Sequence, residues 1–194
     1  MIILASTSTT RQQMLHQAGL SFTAMAASLD EETEKANLGP RTAKSMARAL
    51  ALAKARSVSA SHATAIVIGA DQTLELAGQM FSKPKNLAEA RQQLGLLKGK
   101  QHALHSAVAV TKADTIVFET TTTAQLTMRN FSDGFLHSYL EKLGPDKRGS
   151  LGCYQYESIG IQLFERIEGD YFTILGLPLL PLLAFLRETG ELQT

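Results

Sequence analysis

Ala65-Ile66-Val67-Ile68-Gly69-Ala70 is an unbroken apolar run rich in β-branched side chains, and it leads straight into Asp71-Gln72. So short a run, apolar throughout, predicts a central strand covered on both faces and ending at Asp71. Upstream, Ala43–Ser59 is Ala-rich, with Pro40 at a plausible helix start, and predicts a long helix. Ile2–Ala5 predicts a first buried strand, and the polar cluster Ser6-Thr7-Ser8-Thr9-Thr10 follows at once. Helical spacing begins at Met14, Leu15 and Ala18, and Gly19 supplies the stop. Strand, polar loop and helix N-terminus in succession aim backbone N–H groups and hydroxyls at one point, which suits an anion. Residues 21–26 predict another strand, and Leu29-Asp30-Glu31-Glu32 an acidic loop.

Downstream, Leu74 to Met80 predicts a hairpin around Ala77-Gly78, and Asn86 caps a helix from Leu87 to about Leu97. Residues 102–110 and 115–128 predict two long strands joined near Lys112-Ala113-Asp114. A helix is expected from Ser132 or Asp133 through Leu143, then a Gly-rich loop with short strand pieces from Gly144 to Gly160. Residues 161–167 predict a strand and 177–187 a last helix. Helices alternating with strands, plus a long hairpin, give an α/β expectation: one domain over residues 1–194, with a mixed twisted sheet and flanking helices.

Composition narrows the function. The 194 residues carry 19 Lys+Arg against 18 Asp+Glu, a net charge of +1, which argues against coating nucleic acid by bulk positive charge. With 44% hydrophobic and 19% charged residues the chain is too apolar for disorder. No apolar run is long enough for a membrane span, and Met1–Ala5 lacks the charged start of a signal peptide. One cysteine, Cys153, cannot form an internal disulfide. A cytoplasmic location, without membrane or nucleic-acid partners, is the expectation.

The chemistry concentrates in a few residues. Asp71 at a strand end stands where open α/β sheets bind ligands, and a carboxylate there can hold a metal ion or take a proton from water. The plain alternative is a turn residue. Ser6, Ser8, Thr10 and Arg11 form the loop–helix anion site, with hydroxyl donors and a guanidinium fork; an ordinary N-cap cluster is the simpler account. Lys83 before Pro84 offers a point charge for phosphate, or a solvated surface charge. Asp30, Glu31 and Glu32 offer carboxylates for a divalent cation shared with Asp71, or a solvated loop. The histidines show no metal spacing, and there is no Gly-Lys-Ser/Thr of a Walker loop.

Taken in order, these motifs resemble the Maf family of nucleoside triphosphate pyrophosphatases, historically linked to septum formation. Leu4-Ala5-Ser6-Thr7-Ser8 is similar to the family's opening motif, Leu29-Asp30-Glu31 to its acidic pair and Lys54-Ala55 to its helix Lys-Ala. Ile68-Gly69-Ala70-Asp71 is similar to its Gly-Ala-Asp strand end, Lys83-Pro84 to its Lys-Pro and Gly99-Lys100-Gln101-His102 to its Gly-Arg-x-His. Ile167-Glu168-Gly169-Asp170-Tyr171 and Gly176-Leu177-Pro178-Leu179 match its closing signature. The resemblance implies a mixed α/β fold of two lobes around a cleft, as in inosine triphosphatases, and a homodimer. It implies hydrolysis of a nucleoside triphosphate to monophosphate and pyrophosphate, aided by Mg²⁺, Mn²⁺ or Co²⁺. Asp71 and Lys83 would be catalytic; Ser6, Ser8, Arg11 and Lys54 would bind phosphate; Glu31 and Asp71 would bind metal. A nucleotide-binding regulator of division without turnover is the competing function.

The sequence departs from the family pattern where the base is read. Thr9 and Thr10 replace a proline and an arginine, leaving Arg11 alone, and Ala49 stands where the family has an arginine, with Arg48 one place off. Gly152-Cys153-Tyr154-Gln155-Tyr156-Glu157 replaces the usual Tyr-Gly-Ile-Gln-Gly. Thr10, Gln72, Gln155 and Glu157 are the positions bearing on base choice, and Gln72 and Glu157 resemble the branch acting on 7-methyl-GTP.

Overall fold

The computed structural model describes residues 1–144 and 150–193. It is the expected mixed α/β fold. In chain order the elements are β1 (Ile2–Ala5), α1 (Thr9–Gln17), β2 (Thr23–Met25), α2 (Glu31–Leu38), α3 (Ala43–Ser59), β3 (Ile66–Leu76) and β4 (Gln79–Phe81). There follow α4 (Leu87–Leu97), β5 (Gln101–Lys112), β6 (Thr115–Met128), α5 (Asp133–Leu143), β7 (Phe164–Glu168), α6 (Tyr171–Ile174) and α7 (Leu179–Glu188). The strands run β2-β1-β3-β5-β6-β7 across a seven-stranded sheet, with β4 paired to β3. β1 is parallel to β2 and β3, whereas β3–β4 and β6–β7 are antiparallel. Among the described residues no helix is long and apolar enough to cross a membrane.

The chain divides into two compact units. The first comprises Met1–Gln72, His105–Thr123 and Tyr171–Thr194. Its core follows strand alternation. Ile2, Leu4, Ile66, Ile68 and Ala70 pack with Met14 and Leu15 of α1 and Leu179, Leu182 and Phe185 of α7. Ile3, Ala5 and Val67 point the other way, onto Ala55 and Val58 of α3. The second unit comprises Thr73–Leu104 and Ala124–Asp170, and holds β4, α4, α5 and β7. The turns that join strands are set by backbone handedness. Ala77 and Gly78 between β3 and β4, and Ala113 and Asp114 between β5 and β6, all take positive φ, as tight hairpins require.

Several boundaries differ from the sequence expectation, each for a local reason. α1 starts at Thr9, well before Met14, because the Ser8 side chain accepts from the Arg11 N–H and caps it. The acidic loop at residues 29–32 is the start of a helix: Asp30 caps α2, and Glu31, Glu32 and Glu34 lie in its first turn, where the helix dipole favours negative charge. Hydrogen bonds from the Thr33 hydroxyl and the Thr33 and Glu32 amides hold the Asp30 pKa below its ordinary value. β3 continues past Asp71 to Leu76, because β4 supplies partners for Leu74 to Leu76 after β1 leaves at Gly69. The strand pieces expected between Gly144 and Gly160 are absent among the described residues, which form 3₁₀ turns at Leu151–Cys153 and Ile159–Leu163. Residues 145–149 of that expectation lie outside the described residues. The strand expected at 161–167 begins only at Phe164, because the second 3₁₀ turn takes its first residues.

Candidate active site

Alternation along β3 sorts its functional residues between two faces. Val67, Gly69 and Asp71 face α3, and Ala70 and Gln72 face the opposite side. Gly69 is what lets α3 come close. A Cβ there would collide with the Ala51 carbonyl and lie 2.6 Å from the Ala55 nitrogen. Ala47 and Ala51 of α3 pack with Ala107 and Ala109 of β5 in the same thin layer. This close approach brings Lys54 over the sheet. Its Nζ lies 2.6 Å from Asp71 Oδ1 and 2.6 Å from Glu31 Oε1. Lys54 is 9% exposed and Asp71 7% exposed, so their pair is well desolvated. Glu31, at the first turn of α2, is half-exposed.

On the other face, Arg11 from the first turn of α1 donates Nε to the Gly176 carbonyl at 2.9 Å and Nη1 to the Ala70 carbonyl at 3.1 Å. Two donors of the expected phosphate fork therefore stitch the loop to the chain itself. Burial pulls the Arg11 pKa below its ordinary value, and the negative charges of Asp71 and then Glu31 push it back up. Gly176 has φ +98, and a Cβ there would stand 3.4 Å from the Arg11 guanidinium. The Gln72 amide donates to Ser106 Oγ at 2.9 Å and to the Thr173 and Ile174 carbonyls at 3.0 Å. Ser6 is buried; its Oγ accepts from the Ser8 N–H at 3.2 Å, and its carbonyl accepts from Gln12 Nε2 at 3.3 Å. Thr10 is half-buried in the first turn of α1.

The first unit thus gathers Ser6, Ser8, Thr10, Arg11, Glu31, Lys54, Asp71 and Gln72. Lys83, Gln155 and Glu157 belong to the second. Lys83 and Glu157 are exposed and Gln155 is half-buried. The sequence reading assigned no role to Gly69 or Gln12. Gly69 had a signal, a glycine inside a strand that also read as buried, which marks close backbone approach. Gln12 had none.

Glu31 Oε1 and Asp71 Oδ1 both converge on the Lys54 ammonium, so a cation shared by the two carboxylates would have to sit beside Lys54 or displace it. No cluster of three or more His, Cys, Asp or Glu capable of holding a metal occurs among the described residues. Two carboxylates suit a magnesium-type ion, which takes one or two from protein and completes its shell with water and substrate phosphate.

The first unit of this mixed α/β chain joins a capped helix N-terminus to a lysine–carboxylate cluster on its central strand, features with which α/β proteins bind anions. The chain belongs to the Maf-like protein family, which it matches over residues 1–189. It is 46% identical over 195 residues to the 7-methyl-GTP pyrophosphatase of Rhizobium meliloti (strain 1021), covering 100% of this chain and 98% of the relative. It is 50% identical over 186 residues to the nucleoside triphosphate pyrophosphatase of Bradyrhizobium diazoefficiens, covering 96% of this chain and 92% of the relative.

Proposed function

We propose that the chain hydrolyses a nucleoside triphosphate to its monophosphate and pyrophosphate. The observation that carries this reading is the Lys54 ammonium held 2.6 Å from both Asp71 and Glu31, in a chain whose relatives bear pyrophosphatase names. Water attacks the α-phosphorus, the bond to the bridging oxygen breaks, and pyrophosphate leaves. Asp71 accepts the proton of the attacking water, and its burial keeps the acceptor fixed. Lys54 holds Asp71 in place and offsets phosphate charge, as does the buried positive charge of Arg11. The Ser8 hydroxyl and the first amides of α1 receive a phosphate oxygen, and Ser6 holds Ser8. Lys83 is the further phosphate cation. Glu31 and Asp71 would hold Mg²⁺, Mn²⁺ or Co²⁺, which when bound neutralises phosphate charge and acidifies coordinated water.

The base is read by Glu157 and Gln155, with 7-methyl-GTP the favoured substrate. A carboxylate accepts from guanine N–H groups. Gln72, whose amide holds the Thr173 and Ile174 carbonyls, and Thr10 in the first turn of α1 are the other residues bearing on this choice. The working protein is a cytoplasmic homodimer.

The test is turnover on the common triphosphates and 7-methyl-GTP with each of the three metals, products separated and solution mass measured alongside. Monophosphate plus pyrophosphate is expected. Diphosphate plus phosphate contradicts the chemistry, and nucleotide binding without turnover establishes the regulatory binder instead.

A further inference from the structure

Tyr139, Tyr154 and His102 are buried polar side chains of the second unit that the proposed reaction does not use. Tyr139 reaches the backbone around Gln155, and His102 holds the side chain of its neighbour Tyr154. The Tyr139 hydroxyl, from α5, donates to the Cys153 carbonyl at 3.1 Å and accepts from the Gln155 backbone N–H. Tyr154 shares a 2.9 Å hydrogen bond with His102 Nε2 and meets the Phe164 ring edge-on at 4.9 Å between centroids. Gly160 closes the remaining side: a Cβ there would lie 2.7 Å from the Gln155 backbone nitrogen and carbonyl carbon. Gly152, at φ +74, gives the turn that seats the Tyr154 ring; a Cβ there would lie 2.9 Å from Leu74 Cδ1.

The contrast between backbone and side chain is what points to a ligand. The Gln155 backbone is held by the Tyr139 hydroxyl and by the close approach of Gly160, whereas among the described residues its side-chain carbonyl has only a long 3.5 Å contact from the Ser158 hydroxyl. Phenylalanines would fill the same apolar space at lower desolvation cost, since a buried hydroxyl must find partners. What the Tyr139 hydroxyl adds is direction: bonded to the groups on either side of Tyr154, it fixes the peptide plane from which the Gln155 side chain departs.

We infer that Tyr139, backed by the His102–Tyr154 hydrogen bond, is the positioning device that aims Gln155 at the nucleotide base. This rests on the reading that Gln155 meets the base. Tyr139 is a positioning residue, and its effect is on base choice rather than on the reacting phosphate.

The experiment compares kcat and KM across the nucleotide panel for the wild type, Gln155→Ala, Tyr139→Phe, Tyr154→Phe and the double variant Tyr139→Phe/Gln155→Ala. Gln155→Ala should reduce the kcat/KM ratio between the best and poorest bases by roughly tenfold, the size of one lost hydrogen bond. Tyr139→Phe keeps the ring and removes only the hydroxyl. It should reduce the same ratio by roughly threefold, through KM more than kcat, and add nothing in the double variant. Tyr154→Phe should move the ratio in the same direction, and it decides the matter if Tyr139→Phe fails to fold. A folded Tyr139→Phe enzyme with an unchanged base ratio overturns the inference and leaves Gln155 as a base contact. If Gln155→Ala itself leaves the ratio unchanged, the base contact and the inference fall together, while release of pyrophosphate stands apart from both.

Discussion

Lys54 has unequal partners. Asp71 is buried and depends on it, whereas the Glu31 side chain is 41% exposed and has water as an alternative. Removing the ammonium strands a buried carboxylate, and breaking such a pair typically costs several kcal/mol. Lys54→Met should therefore lower stability by about 3 kcal/mol in urea unfolding, while Glu31→Gln should stay within about 1 kcal/mol. Equal losses would show that the two pairs are equivalent. At this scale the sequence was partly legible. Asp71 follows an apolar run within β3, and Lys54 and Glu31 came with the family pattern. The partners of Arg11 and Gln72 were not legible, because their acceptors are the carbonyls of Ala70, Thr173, Ile174 and Gly176. A carbonyl looks the same in every residue.

The element that governs the site is the α3–β3 contact. Its thinness comes from Gly69 and the alanines around it, and Lys54 reaches Asp71 only because the helix lies so close. A methyl group on Gly69 would meet helix backbone, which cannot rotate away as a side chain can. Gly69→Ala should lower the thermal midpoint as an overpacking change of about 2–3 kcal/mol. It should also depress turnover beyond that loss by displacing Lys54. Normal stability with normal turnover would contradict this role. Elements with a buried stripe were legible: α3 and α4 stand close to their expected limits. α2 was not, because none of its residues is buried and no apolar period marks it. Its only start signal was Asp30, which also fits a loop. The hairpin around Ala77-Gly78 was legible and is the β3–β4 pairing, but nothing in the apolar run shows that its first strand continues unbroken from Ile66 through Asp71.

Over the whole molecule, strand–helix alternation was enough to predict a mixed α/β sheet. The two compact units were not derivable from local pattern, since the first is assembled from three separated segments of chain. One consequence at this scale is acid sensitivity. Burial pushes the His102 pKa down to about 4 from an ordinary 6.5, so the folded protein holds the ring neutral while the unfolded chain protonates it near pH 6.5. The unfolded state then binds more protons between those values. Stability is fully present above pH 6.5 and should decline by about 3 kcal/mol as pH falls toward 4. His102→Leu should flatten that decline in urea titrations at stepped pH, and an unchanged slope would assign it to other groups.

The central claim is that the lysine–carboxylate cluster is the reaction centre, and Asp71→Asn tests it most directly. The substitution keeps the shape of the side chain and removes its capacity to take a proton. Turnover of the best nucleotide should fall by about 10²–10⁴-fold, the usual contribution of a general base, while the same nucleotide still binds. An Asp71→Asn variant that releases pyrophosphate at the wild-type rate would contradict the account.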